Sequence, residues 1–223
     1  MKYDLGIVGG LGPLASSYLY EMITKNTKAK KDQEHLNIIL LSYCSTPDRT
    51  NYILGKSDES PYPYLLKNCK ILEKLGVKRI SIPCNTSCYF HEKLQEQLSI
   101  PISNIIKNTV EYIHKQGYKK VSILATKGTI ESNLYQQELE KYNIEYDTPN
   151  QEKVMEIIYD YVKSGKEVSK EKFDTITKNT NSEAYILGCT ELSILKGKLN
   201  LTENFIDPLE IETENILTFF NKL

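Results

Sequence analysis

The segments Ile80-Ser81-Ile82-Pro83-Cys84-Asn85-Thr86-Ser87 and Ala184-Tyr185-Ile186-Leu187-Gly188-Cys189-Thr190-Glu191 decide the fold of this 223-residue chain. Each begins as a short apolar run, which is typical of a buried strand, and ends in a cysteine followed by polar residues where a helix is expected to begin. Ligands of open α/β sheets bind outside the carboxyl ends of the strands. Because the two cysteines lie about half the chain length apart, we predict two lobes that each present one thiol to a shared cleft.

Apolar runs of strand length alternate with helical patterns along most of the chain. The predicted strands are Leu5–Val8, Ile38–Leu41, Ile80–Ile82, Ile100–Ile102, Val121–Leu124, Ile144–Tyr146, Tyr185–Leu187 and Phe205–Ile206. The predicted helices, whose apolar residues recur at spacings of three and four, are Pro13–Lys28, Pro63–Leu75, Ser87–Leu98, Ile105–Gln116, Ile130–Tyr142, Lys153–Ser164, Ser169–Thr180 and Pro208–Asn221. This alternation predicts the α/β class, with two similar lobes, each a mostly parallel sheet flanked by helices, and an active site in the cleft between them.

The boundary between the two lobes is predicted near Pro101. The first lobe comprises residues 1–101 together with residues 207–223 and carries Cys84, and the second comprises residues 102–206 and carries Cys189. A strand, a glycine-containing turn and a helix open both halves, which supports this division. The last helix, after Asp207, is assigned to the first lobe.

The composition excludes several classes of protein. Lys and Arg (28) nearly balance Asp and Glu (29), so nothing indicates a nucleic-acid partner or a membrane-binding basic patch. No apolar run approaches the roughly 18 residues of a membrane span, and the first residues run directly into a strand pattern without a signal peptide. We therefore expect a soluble, cytoplasmic protein.

The five cysteines are odd in number and irregular in spacing, which favours reduced thiols over a disulfide framework. Cys84 and Cys88 are one helical turn apart, but no second Cys or His pair with zinc spacing follows them, so no metal site is expected. A cysteine at a helix N-terminus has a lowered pKa, and both Cys84 and Cys189 are expected at such positions. Either cysteine alone is more often a buried structural residue, whereas two in parallel contexts favour catalysis.

The glycine-rich turn after the first strand does not have the spacing of a dinucleotide-binding fingerprint. Its glycines are Gly6, Gly9, Gly10 and Gly12, Pro13 opens the following helix, and no acidic residue closes the next strand. Two interpretations stay open for this turn. It is a tight turn that needs small residues, or its backbone N–H groups bind a substrate carboxylate, for which Gly10 is a candidate.

Polar residues at the same edge of the predicted sheets are further candidates. Arg49, in the loop after the second strand, has a guanidinium fork that suits a carboxylate, although a surface pair with Asp48 is the simpler alternative. Asn85 and Thr86 follow the first thiol, and Thr190 follows the second; they are helix caps or substrate ligands. Glu191 can bind substrate or set the protonation state of a nearby thiol. By its position alone, Lys163 is interpreted as a positive charge that stabilises the negative C-terminal end of its helix dipole.

The chain resembles the cofactor-independent aspartate/glutamate racemase family, and its aspartate racemase branch in particular. The matching segments are Gly9-Gly10-Leu11-Gly12-Pro13-Leu14-Ala15, Pro47-Asp48-Arg49-Thr50, Cys84-Asn85-Thr86, Ala125-Thr126-Lys127-Gly128-Thr129 and Gly188-Cys189-Thr190-Glu191-Leu192. Glutamate racemases typically open with an Asp-Ser-Gly turn and carry His after the second Cys-Thr. The glycine turn and Glu191 therefore favour the aspartate branch. One departure is Cys88, because many relatives have His at that position.

The resemblance implies a homodimer that uses no metal, pyridoxal phosphate or nucleotide. It implies that Cys84 and Cys189 are the catalytic thiols and that Arg49 binds the substrate carboxylate, with Lys163 as a second cationic contact. The polar residues that would line the substrate site are Asn85, Thr86, Thr126 and Thr190.

The resulting hypothesis is an isomerase that interconverts L- and D-aspartate, with glutamate as a further substrate, by proton transfer between two thiols. The alternatives are a related two-cysteine enzyme, of the maleate isomerase or hydantoin racemase type, and a catalytically silent protein that binds acidic amino acids. A silent binder has no need for a thiol of lowered pKa, so thiol reactivity separates it from the enzymes.

Overall fold

The first half of the chain forms one parallel sheet and its covering helices. The computed structural model describes residues 2–178 and 180–223. The elements of the first half are β1 (Leu5–Gly9), α1 (Pro13–Asn26), β2 (Ile38–Ser42), α2 (Arg49–Ile53), α3 (Tyr62–Lys74), β3 (Arg79–Ser81), α4 (His91–Gln95) and α5 (Ile105–Gln116). Short 3₁₀ helices lie at Asp32–Glu34 and Asn85–Phe90. Every residue of β1 is buried, as expected for a central strand that is covered on both faces.

The second half repeats this arrangement. Its elements are β4 (Lys120–Leu124), α6 (Lys127–Glu131), α7 (Leu134–Lys141), β5 (Glu145–Asp147), α8 (Gln151–Glu156), α9 (Lys170–Asp174), β6 (Ala184–Leu187), α10 (Thr190–Lys198), β7 (Phe205–Ile206) and α11 (Pro208–Phe219). A six-residue π-helix, Ile157–Val162, continues α8.

Both sheets are parallel and have equivalent strand orders. The first runs β2-β1-β3, and the second runs β5-β4-β6-β7. Ile102 extends the first sheet by an isolated parallel bridge to Ile80, at the place that β7 occupies in the second. The predicted α/β class with two similar lobes is therefore confirmed.

The hydrophobic core consists of three clusters, one of which spans both sheets. That shared cluster contains Leu5 and Ile7 of β1, Val121 and Ile123 of β4, and the apolar faces of α1, α5 and α11. The helix α5 follows the bridge residue Ile102, α11 follows β7, and the two helices pack against each other; α11 also packs on α1. The division into residues 1–101 with 207–223 and residues 102–206 stays a prediction.

Side-chain caps begin three of the helices that follow strands. The carboxylate of Asp48 accepts a hydrogen bond from the N–H of Asn51 at α2, and Thr126 and Asp207 cap α6 and α11 in the same way. The helices α6 and α11 begin two or three residues after the ends of β4 and β7. The first residues of α2 and α6 lie where the two lobes meet, since the hydroxyl of Thr50 donates to that of Thr126.

Several predicted elements are wrong in detail. The helix predicted over Ile130–Tyr142 is broken by Asn133, whose φ of 57° is left-handed, and the helix over Ser87–Leu98 begins as a 3₁₀ helix. The helix over Ser169–Thr180 is regular only in α9, and its residue 179 lies outside the described residues. In the described part of the chain, no helix is both long enough and apolar enough to cross a membrane.

Candidate active site

Both predicted catalytic cysteines line one small cavity between the lobes, which we call the thiol cavity. Its lining residues are Leu11, Asp48, Arg49, Thr50, Cys84, Asn85, Thr86, Thr126, Tyr159, Lys163, Cys189, Thr190 and Glu191. Its volume is about 10 Å³, which is room for about one water molecule. Every predicted site residue except Gly10 lies on this lining.

The strand ends deliver the two thiols as the sequence predicts. Cys84 lies three residues after β3, directly before the 3₁₀ helix, and Cys189 is the N-cap residue of α10. Each cysteine is only 6% exposed. The hydroxyl of Thr190 donates to the backbone carbonyl of Pro83 at 3.3 Å, so the two thiol-bearing segments touch across the cleft.

Cys189 is held as a thiol by its surroundings. Its Sγ donates a hydrogen bond to Oε2 of Glu191 at 2.8 Å. Burial raises the pKa of Cys189 well above its usual value, the Glu191 carboxylate adds to this rise, and Lys163 opposes it. The expectation that the helix N-terminus lowers this pKa is wrong, because desolvation and a neighbouring negative charge outweigh the helix dipole.

Lys163 bridges the π-helix and α10. Its Nζ lies 3.8 Å from Oε1 of Glu191 and 4.2 Å from the ring centroid of Tyr159. Burial lowers the pKa of Lys163, but the negative charges of Glu191 and Cys189 outweigh burial and raise it. Lys163 is therefore a fixed positive charge beside Cys189.

Arg49 is the second cation of the cavity, on the side of Cys84, and unlike Lys163 it is buried. Its guanidinium donates to the backbone carbonyls of Leu11 at 2.8 Å and Pro47 at 3.1 Å. Burial lowers the pKa of Arg49, but charge and hydrogen bonding from Cys84, together with nearby carboxylates, outweigh burial and raise it. Its Nε is buried and has no hydrogen-bond partner among the described residues.

Asn85 is oriented by a tyrosine from the other lobe. The hydroxyl of Tyr135, a fully buried residue of α7, donates to Oδ1 of Asn85 at 2.7 Å. Since Oδ1 already accepts this hydrogen bond, the NH₂ group at Nδ2 is the part of the Asn85 amide that remains free. In the described structure, the buried Nδ2 of Asn85 has no hydrogen-bond partner. The thiol cavity is therefore lined by two unpaired donor groups, Nδ2 of Asn85 and Nε of Arg49.

Threonine hydroxyl groups connect the lobes beside the cavity. Thr86 of the first lobe lies 3.2 Å from Thr126 and 2.8 Å from Thr129 of the second, measured between hydroxyl oxygens. Thr50 donates to Thr126 at 3.3 Å. The backbone of Thr50 also approaches Gly128 so closely that a Cβ there would lie 2.7 Å from Cα of Thr50. This part of the lobe interface is closely packed.

A second and larger cavity, which we call the outer cavity, adjoins the thiol cavity. It has a volume of about 450 Å³, and Asp48, Arg49, Lys163 and Glu191 line both cavities. Gly10 lies here, and its N–H donates to the hydroxyl of Ser16 at 3.2 Å. Its φ of 87° and its contact with the backbone of Tyr43 require glycine.

Sequence reasoning missed two tyrosines, Tyr159 and Tyr135, that the structure brings to the site. Tyr159 shares a helical face with Lys163, four residues later, and its hydroxyl lies 3.4 Å from a carboxylate oxygen of Asp48. That i, i+4 spacing was an available signal for Tyr159. Tyr135 carries no such signal, because it contacts a residue 50 positions away.

The other cysteines are not on the thiol cavity. Cys44 is exposed and lines the outer cavity, whereas Cys69 is buried in the core of the first lobe. Burial raises the pKa of Cys88 to about 12, so this thiol stays protonated. No group of three or more His, Cys, Asp or Glu residues could hold a metal ion within residues 2–178 and 180–223.

Solved structures of racemases share this fold. The Picrophilus torridus aspartate racemase superposes with a TM-score of 0.89 at 28% identity, over 99% of this chain and 95% of that chain. An aspartate racemase homologue from Pyrococcus horikoshii superposes with a TM-score of 0.75 at 27% identity, over 99% of this chain and 100% of that chain.

Curated relatives match over part of their length. The broad specificity amino-acid racemase RacX of Bacillus subtilis is 30% identical over 139 residues, which are 60% of this chain and 60% of the relative. A glutamate racemase of Limosilactobacillus reuteri is 30% identical over 164 residues, which are 69% of this chain and 61% of the relative. The model of the family described as Asp/Glu/Hydantoin racemase matches residues 8–215. The chain thus belongs to the Asp/Glu/Hydantoin racemase family.

Proposed function

We propose that the protein is a cofactor-independent amino-acid racemase that interconverts L- and D-aspartate and also accepts glutamate. The observation that carries the proposal is the joint placement of Cys84 and Cys189 on one cavity that two cations also line. Family membership and the aspartate racemase of P. torridus support the reaction class.

The proposed reaction uses one thiolate and one thiol in each turnover. In one direction the thiolate of Cys189 takes the α-proton of L-aspartate, and the thiol of Cys84 donates its proton to the opposite face of Cα. The C–H electron pair remains on the substrate until the new C–H bond forms, so no redox step is involved. In the other direction Cys84 is the base toward D-aspartate and Cys189 is the acid.

Two unpaired donors are available for the carboxylates of the substrate. Nε of Arg49 and Nδ2 of Asn85 are buried on the cavity lining, and a carboxylate oxygen would satisfy either of them. Donors fixed around the α-carboxylate stabilise the charge that develops at Cα when the proton leaves. The positive charges of Arg49 and Lys163 would favour a substrate that carries a second carboxylate on its side chain.

The thiol cavity is smaller than an amino acid, so binding requires movement of its lining. Lys163 and Glu191 are two of the four residues that line both the thiol cavity and the outer cavity. We propose that substrate enters from the outer cavity when this pair of side chains moves aside. The small closed volume then excludes bulk water from the thiols during proton transfer.

The test is proton NMR of L-aspartate, D-aspartate and both enantiomers of glutamate in D₂O, with purified, reduced protein and no added cofactor. We expect loss of the α-proton signal together with formation of the opposite enantiomer on a chiral column. Cys84→Ala and Cys189→Ala should each abolish racemisation, whereas Cys69→Ala, which removes a buried thiol that does not line the cavity, should retain it. Full racemisation by either of the first two variants would contradict the two-thiol reaction.

A further inference from the structure

The proposed reaction leaves the two thiols in exchanged protonation states. After L-aspartate has become D-aspartate, Cys189 holds the proton that it removed and Cys84 has given its own proton away. A second turnover in the same direction requires Cys189 to lose that proton and Cys84 to gain one. The following inference rests on the proposed function, because it concerns how this reset occurs.

While the thiol cavity is closed, Cys189 has little access to bulk water. Its side chain is 6% exposed and faces a cavity with room for about one water molecule. The one hydrogen bond of its Sγ within the described residues runs to Oε2 of Glu191, at 2.8 Å. A proton that leaves Cys189 therefore meets this carboxylate first.

The other oxygen of the Glu191 carboxylate lies beside residues that line the outer cavity. Oε1 is buried without a hydrogen-bond partner among the described residues, and Nζ of Lys163 lies 3.8 Å away. Oε1 fits beside Gly12 because glycine has no side chain: a Cβ at Gly12 would lie only 2.6 Å from Oε1. Gly12, Lys163 and Glu191 all line the outer cavity. The carboxylate thus reaches from the thiol to the larger cavity.

We infer that Glu191 is the proton relay of Cys189: its carboxylate takes the proton of the thiol and releases it to water in the outer cavity, and the reverse transfer reprotonates the thiolate. The relay is neutral overall, because thiol and carboxylate become thiolate and carboxylic acid before the acid ionises. Lys163 opposes the negative charge on either partner throughout.

The alternative is that Glu191 only orients the thiol. Glu191→Gln separates the two roles, because its amide oxygen still accepts the S–H hydrogen bond but cannot take the proton. Glu191→Asp is a second variant: its carboxylate is one methylene shorter and withdraws from Sγ. Glu145→Gln, at an exposed position on β5, is the matched control.

The experiment compares two rates at saturating substrate. The first is net conversion of pure L-aspartate to D-aspartate, which needs the reset through solvent. The second is the transfer of isotopic label from L- to D-aspartate within an equilibrium mixture, where reverse turnovers reset the thiols without solvent. The ratio of net conversion to label transfer therefore reports the relay and is insensitive to a uniform loss of activity.

For Glu191→Gln we expect the ratio of net conversion to label transfer to fall by about 100-fold, which is the low end of the rate enhancement that a positioned proton-transfer group contributes. The ratio should also fall in Glu191→Asp, which decides the question if the Gln variant does not fold. It should stay at the wild-type value in Glu145→Gln. A wild-type ratio in a folded Glu191 variant would overturn the relay while leaving the racemase intact. A wild-type protein that racemises none of the four amino acids would overturn both proposals.

Discussion

Replacing Gly128 with alanine tests whether close approach of the lobes sets the position of Arg49. The added Cβ would lie 2.7 Å from Cα of Thr50 and 2.8 Å from its hydroxyl oxygen. Ordinary van der Waals contact begins near 3.4 Å, so α2 must move away by about 0.7 Å. Arg49 is the first residue of α2 and moves with it.

The expected cost of Gly128→Ala follows from two opposing effects. Forcing an extra carbon into a packed contact costs about 1–3 kcal/mol. Alanine in place of glycine inside a helix returns about 1 kcal/mol. The free energy of unfolding should therefore fall by about 0–2 kcal/mol. Because displacement of a catalytic group by about 1 Å can cost 100-fold in rate, we expect kcat/KM for aspartate to fall by about tenfold or more.

Gly197→Ala is the matched control for this prediction. Gly197 lies in α10, and a Cβ there would meet no atom within 4 Å outside the helix backbone. The substitution should raise the free energy of unfolding by about 1 kcal/mol and leave racemisation unchanged. Urea unfolding and chiral chromatography measure both effects. The reasoning is refuted if Gly128→Ala gains as much stability as Gly197→Ala and racemises aspartate at the wild-type rate.

Three further predictions concern other parts of the site and of α11. Arg49→Ala should lower kcat/KM for aspartate by about 10- to 100-fold more than kcat/KM for asparagine, because it removes a charge-assisted hydrogen bond worth about 1.5–3 kcal/mol. Equal losses of kcat/KM for the two substrates would exclude binding of the side-chain carboxylate by Arg49. Tyr135→Phe should raise KM for aspartate several-fold with little change in kcat, because the amide of Asn85 is released to rotate; a change confined to kcat would contradict this. Burial raises the pKa of Asp207 from 3.8 to about 6. Protonation of the Asp207 carboxyl therefore stabilises the folded state fully below about pH 4, and this contribution is lost as the pH rises through 6. Asp207→Asn, which keeps a capping oxygen, should therefore stabilise the protein by up to about 3 kcal/mol at pH 8 and much less at pH 4, as urea unfolding at both pH values would show.

The strands and the residues of the site were predictable because both depend on short stretches of sequence. Buried parallel strands are continuous apolar runs, and each predicted strand lies at or beside an observed one, although Ile102 forms only a bridge. The residues at the carboxyl ends of those strands must meet at one edge of each sheet. This is why Cys84, Arg49 and Cys189 could be placed together.

The remaining features depend on contacts between segments that are far apart, or on local geometry that leaves hydrophobic periodicity unchanged. The π-helix at Ile157–Val162 has the apolar pattern of an α-helix, so its wider turn carries no sequence signal. The raised pKa of Cys189 arises from burial and from the orientation of Glu191, and the short spacing of Cys189 and Glu191 in the sequence predicts neither. The orientation of Asn85 by Tyr135 similarly requires the assembled lobes.

The apolar cluster that β1, β4, α5 and α11 share has a consequence for how the protein unfolds. A chain cut near residue 102 would leave α1 without the cover of α11, and would leave the second fragment without the apolar residues that β1 and α1 contribute to the shared cluster. Each fragment would expose apolar surface that only the other fragment can bury. The two halves should therefore lose their structure in a single cooperative transition and should regain it when the separated fragments are mixed.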